Sequence, residues 1–521
     1  MRSSLITSLL TCIVITIQAQ MDELQSFDCT LSSVCKLTSQ INPNIASLQL
    51  GVMSSSYAVD MMESDFDPTI FSTVQLNRAG LNLNELDPRS QVAGNLLNTN
   101  TYQLSSGIQK RLTGGTTVSA GMEFFRTSDN IPLNAYNEYV GDHVGANSTA
   151  VNVAISQPLL RGKGESYNTA PIELSKIQVK TDQLSLVHNA SELMQNVVIA
   201  YWQYLAESQR LKIYNTNVRR INSVLEMTEE LVLANKKPRS DLIQIQADLL
   251  GKERQALIAK QNLFSARQTL ARFIGMSKEE SLVIGDPRDG FPDVTADNLI
   301  QLEDLIMLSL ENRNDLQAIN QQISRTEVLA SMAEHETKPS LDLTGSIQYG
   351  GSDLGNGIHR ILTPLTTNDG RNYSLGIGLR YNIPIGNNRA ESNVLIRDNN
   401  VTNQYLVYNN QQRNIEINVS IEYNSLLNSI DALDKAKRTL EYYEEVFDNE
   451  QLKFQNGLTT ILNLIIFQER LTFAQLNYIT NQQQVANSIV RLRHQTGTLL
   501  STDLNSLNIV STDVFYQLPV R

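Results

Sequence analysis

The 521-residue sequence is poor in the side chains that most chemistry needs, with three cysteines, five histidines and one tryptophan. That leaves little material for a zinc or redox centre. Basic charge is also short: 42 Lys and Arg face 54 Asp and Glu, a net charge of −12. Phosphate binding depends on clustered Lys and Arg, so the charge argues against a nucleic-acid partner. Long apolar runs are missing as well, since none reaches the roughly 20 residues that a helix needs to span a bilayer. With 41% hydrophobic and 18% charged residues, the composition fits neither a disordered chain nor a helical membrane bundle.

The first residues read as an export signal. Arg2 supplies positive charge, Leu5 to Ile17 forms a short apolar run, and Ala19 precedes Gln20 as a cleavage point. Cys12 lies inside that run and reads as part of the signal. Cys29 and Cys35 are six apart in the mature chain and could form a small-loop disulfide or stand as two thiols.

Internal similarity organises the rest. At an offset of 271, Asn44-Ile45 falls on Asp315-Leu316 and Pro68 on Pro339, with helix-like stretches between that each end at a proline. At an offset of 222, Asn196-Val197 and Tyr201 fall on Asn418-Val419 and Tyr423, and Gly275 on Gly497. Apolar residues there recur every seven positions. Val197, Tyr204, Leu211, Val218, Leu225 and Val232 are matched by Val419, Leu426, Leu433, Leu440, Phe447 and Phe454. After a break, Leu242, Leu249, Ala256, Leu263 and Leu270 are matched by Leu464, Leu471, Tyr478, Val485 and Leu492. A seven-residue apolar repeat is the pattern of left-handed coiled-coil packing.

The break carries turn chemistry in both copies: Asn235-Lys236-Lys237-Pro238 in one and Asn456-Gly457-Leu458-Thr459 in the other. Asn235 aligns with Gly457, and these residue types best tolerate a left-handed backbone at a helix end. Ser240 and Thr459 or Thr460 are candidates to cap the returning helices. Each copy is therefore expected to be a long helical hairpin, its ascending helix about 70 residues and on the order of 100 Å long.

Strand-like alternation fills the remaining segments. Leu341, Leu343, Gly345, Ile347 and Tyr349 alternate with polar residues, as do Leu375, Ile377, Leu379, Tyr381 and Ile383, and Val151, Val153 and Ile155. About ten such residues suit a transmembrane β-strand. The first half is about 45 residues longer, because Pro68 to Pro158 spans 90 positions and Pro339 to Pro384 spans 45. The surplus, Tyr102 to Leu112, Gly114-Gly115 and Thr116 to Thr127, reads as an added β-hairpin. Four membrane strands per chain are too few for a closed barrel, so several chains must share one. A trimer giving twelve strands is the simplest arrangement.

With these features in order, the sequence resembles the outer-membrane efflux protein family, the TolC-type channels, over roughly residues 30 to 497. The resemblance rests on Asn42-Pro43-Asn44-Ile45 and Asn312-Arg313-Asn314-Asp315-Leu316 opening two helices. It rests further on Gln157-Pro158-Leu159-Leu160-Arg161-Gly162 and Asn382-Ile383-Pro384-Ile385-Gly386 at strand-to-helix transitions, and on the tip Phe454-Gln455-Asn456-Gly457-Leu458-Thr459. It implies a mixed α/β membrane protein. In that fold a trimeric twelve-stranded outer-membrane β-barrel is continued by a long α-helical coiled-coil barrel, each chain being an internal duplication.

The resemblance also implies a passive exit duct in the cell outer membrane that extends into the periplasm. Its partners would be two further copies, outer-membrane lipid, a periplasmic adaptor and an inner-membrane pump. Adaptor contact is carried onto Gly457, Leu458 and Thr459, and onto Asn235, Lys236, Lys237, Pro238, Arg239 and Ser240 of the first tip. That tip departs from the family pattern by its Lys-Lys-Pro-Arg run. Some members close the periplasmic entrance with acidic rings; the corresponding positions here are Asn463 and Ile466, with Asp241 in the first copy. An aspartate gate is thus not supported, and apolar closure around Ile465 and Ile466 replaces it as the expectation.

The expected division is a signal peptide over 1–19, a first repeat over 20–290, a second over 291–497 and a tail over 498–521. Catalytic motifs fail: His335-Glu336 lacks a second histidine at metalloprotease spacing, Arg161 to Gly164 lacks the phosphate-loop pattern, and no Gly-x-Ser-x-Gly elbow occurs. The remaining histidines, His143, His188, His359 and His494, share no spacing, so neither enzyme activity nor a cofactor is implied. The alternatives are the outer-membrane component of type I protein secretion and a soluble periplasmic coiled-coil adaptor.

Overall fold

The computed structural model describes residues 28–131, 145–295, 299–366, 371–500 and 512–519. The export signal with Cys12, and His143, lie outside the described residues. The chain divides into two compact units that cut across the sequence halves. A helical unit takes residues 1–53, 180–320 and 406–521, and a sheet unit takes 54–179 and 321–405.

The helices in chain order are α1 (Leu31–Ile41), α2 (Pro43–Glu63), α3 (Ser90–Ala93), α4 (Glu165–Leu233) and α5 (Arg239–Ile274). They continue as α6 (Leu302–Asn312), α7 (Asn314–Glu336), α8 (Thr363–Thr366), α9 (Asn388–Gln455) and α10 (Ile461–Gln495). No described helix is long and apolar enough to cross a membrane.

In the helical unit, none of the 22 residues of the seven-residue ladder is exposed. A stripe that repeats every seven residues stays on one side of a slightly underwound helix, so it packs continuously against neighbours. One core gathers Val197, Tyr201, Trp202, Leu270 and Val490, and a second gathers Leu305, Leu316, Val419, Leu426, Val485 and Leu492. Cys29 and Cys35 are free buried thiols in the first core. Burial, with Asp289 and Asp286 nearby, pushes the Cys29 thiol up to about 12. A segment of the tail belongs to this unit too: Phe515 is buried in the first core, and the Arg493 guanidinium donates to the Gln517 and Leu518 carbonyls at 2.9 and 2.8 Å.

Both returning helices end on the glycine that the offset of 222 aligned. Gly275 has φ of +99° and Gly497 φ of +68°, a left-handed conformation that glycine adopts without a Cβ clash. A Cβ on Gly275 would lie 2.8 Å from Pro43 Cδ, and one on Gly497 2.8 Å from the Asn312 carbonyl oxygen. Each glycine is thus pressed against the break between two short helices, α1–α2 or α6–α7. Asn42 makes the first break, its amide donating to the Phe273 carbonyl at 2.8 Å while its oxygen accepts from the Asn44 N–H at 2.8 Å. Arg313 makes the second, bidentate to Asp315 at 2.8 and 2.6 Å and donating to Gln495 Oε1 at 2.6 Å.

The sheet unit holds β1 (Thr69–Asn82), β2 (Leu96–Arg111), β3 (Thr117–Asp129), β4 (Ala146–Pro158), β5 (Ser340–Leu354) and β6 (Arg371–Asn382). They form one antiparallel sheet in chain order, β1-β2-β3-β4-β5-β6. The six are the four expected strands and the added hairpin, which joins the sheet itself. The segment around 100–127 forms β2 and β3, paired in line between β1 and β4. β1 was not visible as a strand because Thr69 to Asn82 lacks clean alternation.

Candidate functional site

Two features position function: the faces of the sheet, and the tips of the two helical hairpins. Strand register puts alternate residues on one face. One row across all six strands is Ile70, Ile108, Ala120, Val153, Ile347 and Leu375. The same face carries Val74, Leu104 and Phe124 in one direction and Val118, Ile155 and Ile377 in the other. The opposite face carries Thr69, Gln109, Ser119, Ala154, Ser346 and Gly376.

The apolar face is open to its surroundings, with Ile70 83%, Leu375 70% and Ile377 89% exposed. An apolar face of that extent needs lipid or protein against it. On β6, Tyr373 and Tyr381 bracket Leu375, Ile377 and Leu379. That spacing is about 27 Å along the strand and about 21 Å across a bilayer at a tilt of about 40°, close to the apolar band between aromatic girdles in outer-membrane barrels.

The sheet ends in tight turns at the strand-to-helix transitions. Gly162, Gly164 and Gly386 have φ of +87°, +105° and +83°. The Asn168 amide donates to the Gly162 and Gly164 carbonyls at 2.8 and 2.7 Å, and Tyr167 stacks on His335 with ring centroids 4.2 Å apart. The Gly162 N–H donates to His335 Nε2 at 3.1 Å. His335 therefore serves the turn.

The two helical tips share one geometry. Asn235 has φ of +55° and Gly457 φ of +71°. In both, the following N–H closes back on the helix: Lys236 to the Leu231 carbonyl and Leu458 to the Lys453 carbonyl, each at 2.8 Å. This is the helix-ending motif that a left-handed residue permits. The returning α10 is capped by Thr460, whose side chain accepts from the Asn463 N–H at 3.3 Å. The returning α5 has Pro238 at its cap position with no side-chain bond, so Ser240 does not cap it; Ser240 already lies inside the helix.

The tip residues differ in what they leave free. Thr459 donates to Glu450, a carboxylate only 6% exposed, and accepts from the Asn463 amide at 3.2 Å. Thr459 and Asn463 thus hold the tip together. Lys237 lies 5.4 Å over the Phe454 ring, joining one tip to the other. Lys236 and Arg239 are exposed, Asp241 is half-buried, and Leu458 is 77% exposed. Ile465 packs against the tip core of Ile245, Phe454, Ile461 and Leu464, whereas Ile466 is exposed.

Sequence reasoning missed Glu450 and also Lys252, which bonds Glu469 at 3.2 Å and faces Asp248 at 3.6 Å between α5 and α10. Glu450 pairs across the turn of its own tip and Lys252 with a residue on another helix, and neither contact leaves an apolar repeat to read. No group of three or more His, Cys, Asp or Glu suited to a metal occurs among the described residues.

Comparison with known proteins agrees with this geometry. The model of the family described as outer membrane efflux protein matches residues 305–498. Over those residues the chain is similar to outer-membrane efflux proteins. It is 22% identical over 347 residues to the outer membrane protein TolC of Vibrio cholerae, covering 65% of this chain and 75% of that protein. Among solved structures, the outer-membrane channel OprN superposes with a TM-score of 0.64 at 15% identity, over 90% of each chain. The Campylobacter jejuni CmeC outer membrane channel gives 0.64 at 14% identity, over 93% of this chain and 89% of that one. These likenesses extend the shared fold over both halves of the chain.

Proposed function

We propose that the protein is the outer-membrane exit duct of a tripartite efflux system, extending into the periplasm. It conducts substrate passively from an inner-membrane pump and a periplasmic adaptor to the exterior. The observation that carries this reading is the sheet: apolar on one face, polar on the other, and, among the described residues, open at both edges. A sheet cannot keep open edges in lipid, so copies of the chain share one barrel. A homotrimer is the proposed assembly, with the helical hairpins of three copies forming a coiled-coil barrel. The seven-residue ladder and the matched tips support descent from a duplicated unit divided near residue 290. No catalytic step is assigned, because the family is one of channels and work is supplied by the pump.

Adaptor contact is proposed at the tips, with Leu458 as its apolar anchor and Lys236 and Arg239 as the exposed charges around it. Gly457 and Asn235 set the backbone that presents them. Entrance closure is assigned to the apolar segment at Ile466. The test is export in cells lacking the chromosomal copy. Leu458→Asp should abolish complementation of substrate export while leaving the amount of protein in the outer membrane unchanged. Full export by this variant would remove the tip from the docking role.

A further inference from the structure

The sheet has more strands than a shared twelve-stranded barrel can use from three chains. β2 and β3 are not an appendage, and three observations show it. Their register is unbroken: β1 pairs with β2 from Thr69↔Gln109 to Asn82↔Leu96, β2 with β3 from Thr99↔Asp129 to Arg111↔Thr117, and β3 with β4 from Thr117↔Ser156 to Thr127↔Ala146. Their parity matches the rest: Ile108, Leu104, Ala120 and Phe124 fall on the same face as Ile70, Val153, Ile347 and Leu375. A slip of one residue would have sent them to the polar face. Their turn is also built into the sheet's end, because the Gly164 N–H donates to the Gly114 carbonyl at 3.2 Å. A Cβ on Gly115 would lie 2.4 Å from the Gly162 carbonyl oxygen.

The free edges are β1 and β6, which have no partner outside the sheet among the described residues. Six alternating strands leave these two antiparallel to each other. β6 of one copy can therefore continue onto β1 of the next with the same antiparallel hydrogen bonding and the same apolar face outward.

We propose that three copies of this chain close a single eighteen-stranded barrel, each β6 pairing with the β1 of a neighbouring copy. The inference rests on the shared-barrel reading above and changes the width of the duct. With strands about 4.8 Å apart and tilted by about 40°, closure of twelve strands gives a backbone diameter of about 24 Å, and eighteen about 36 Å. The cross-section rises roughly 2.2-fold. The inward face is dominated by short side chains, including Thr73, Ser105, Ser119, Ala150, Ser346 and Gly376. The free lumen is then wider than the 10–12 Å of an α-helix with its side chains. A small-molecule cargo meets no size barrier in such a barrel.

The test is electron cryo-microscopy of the protein extracted from outer membranes into lipid nanodiscs, counting copies and strands. Three copies with eighteen strands is the expected result. Three copies with twelve strands, or two copies sharing twelve, would overturn the inference and leave the exit duct standing. A soluble chain with no barrel would overturn the exit-duct reading itself. Labelling in outer-membrane vesicles gives an independent readout with a water-soluble maleimide. In the eighteen-stranded barrel Gln109→Cys faces the lumen and labels, while Ile108→Cys faces lipid and is protected. Equal labelling of both would place the hairpin outside the barrel wall and refute the inference.

Discussion

Ile347→Arg and Gln348→Arg change neighbouring residues of β5 by the same charge, and the sheet geometry predicts opposite outcomes. Ile347 sits near the middle of β5, between Val153 and Leu375 on the apolar face, and is 58% exposed in the single chain. If that face meets lipid, an arginine at the bilayer midplane costs about 2–4 kcal/mol per chain. With about 1.4 kcal/mol per tenfold, the folding equilibrium of each chain falls by roughly 30- to 700-fold. In the proposed trimer three copies would carry the cost together, so the assembled barrel should suffer more than any one chain. Gln348 pairs with Asn152 and Ser374 on the polar face, where an arginine remains in water and should change stability by less than about 0.5 kcal/mol. The assay is urea unfolding of the protein reconstituted in lipid vesicles, followed by heat-modifiable gel migration. A clear loss for Ile347→Arg alone supports the assignment of faces. Equal losses, or a larger loss for Gln348→Arg, would refute it.

Acid sensitivity should come from the buried His494, whose ring lies beside the half-buried His188 in the helical unit. Burial, with His188 and Arg313 close by, holds the His494 imidazole down at about 4, and its Nδ1 lies 2.9 Å from Ser191 Oγ. The unfolded chain takes up that proton near its ordinary value of 6.5 and the folded chain only near 4, so stability declines as pH falls through that window. The decline is about 3 kcal/mol at most from this group, and His494→Gln should flatten denaturation midpoints measured across it. Gly497→Ala should cost more than about 1–2 kcal/mol, because it adds a Cβ clash to a left-handed backbone; thermal melting that shows no loss would contradict the packing at Asn312. Thr460→Ala should cost about 1 kcal/mol through loss of a helix cap, while Ser240→Ala should be close to neutral, as chemical denaturation of the two would show.

How far the sequence could be read followed the range of the interactions involved. The helical hairpins were legible because a seven-residue apolar spacing determines which side of a helix is buried. Asn235 and Gly457 were legible because few residues tolerate a left-handed backbone. The alternation in β4, β5 and β6 marked those strands directly. By contrast, the place of β2 and β3 depends on pairing Val118 with Ile155 and Ile70 with Ile108, and no local pattern says which edge a hairpin joins. Alternation and the internal offsets supplied four strands and a separate hairpin, and the pairing placed all six in one sheet. Thr459 and Leu458 looked alike as tip residues; the buried Glu450 that binds Thr459 lies nine positions away, and it separates them. Asp315 was legible as part of a motif, but not its hold on Gln411 of α9 at 2.6 Å.

The central claim is that copies of this chain share one outer-membrane barrel. The most direct measurement is the mass of the detergent-extracted protein from isolated outer membranes, paired with its migration before and after heating. The account predicts a detergent-stable trimer in that fraction that collapses on heating to a single chain of no more than 58.2 kDa. A soluble monomer recovered from the periplasm, with no heat-dependent shift, would contradict it.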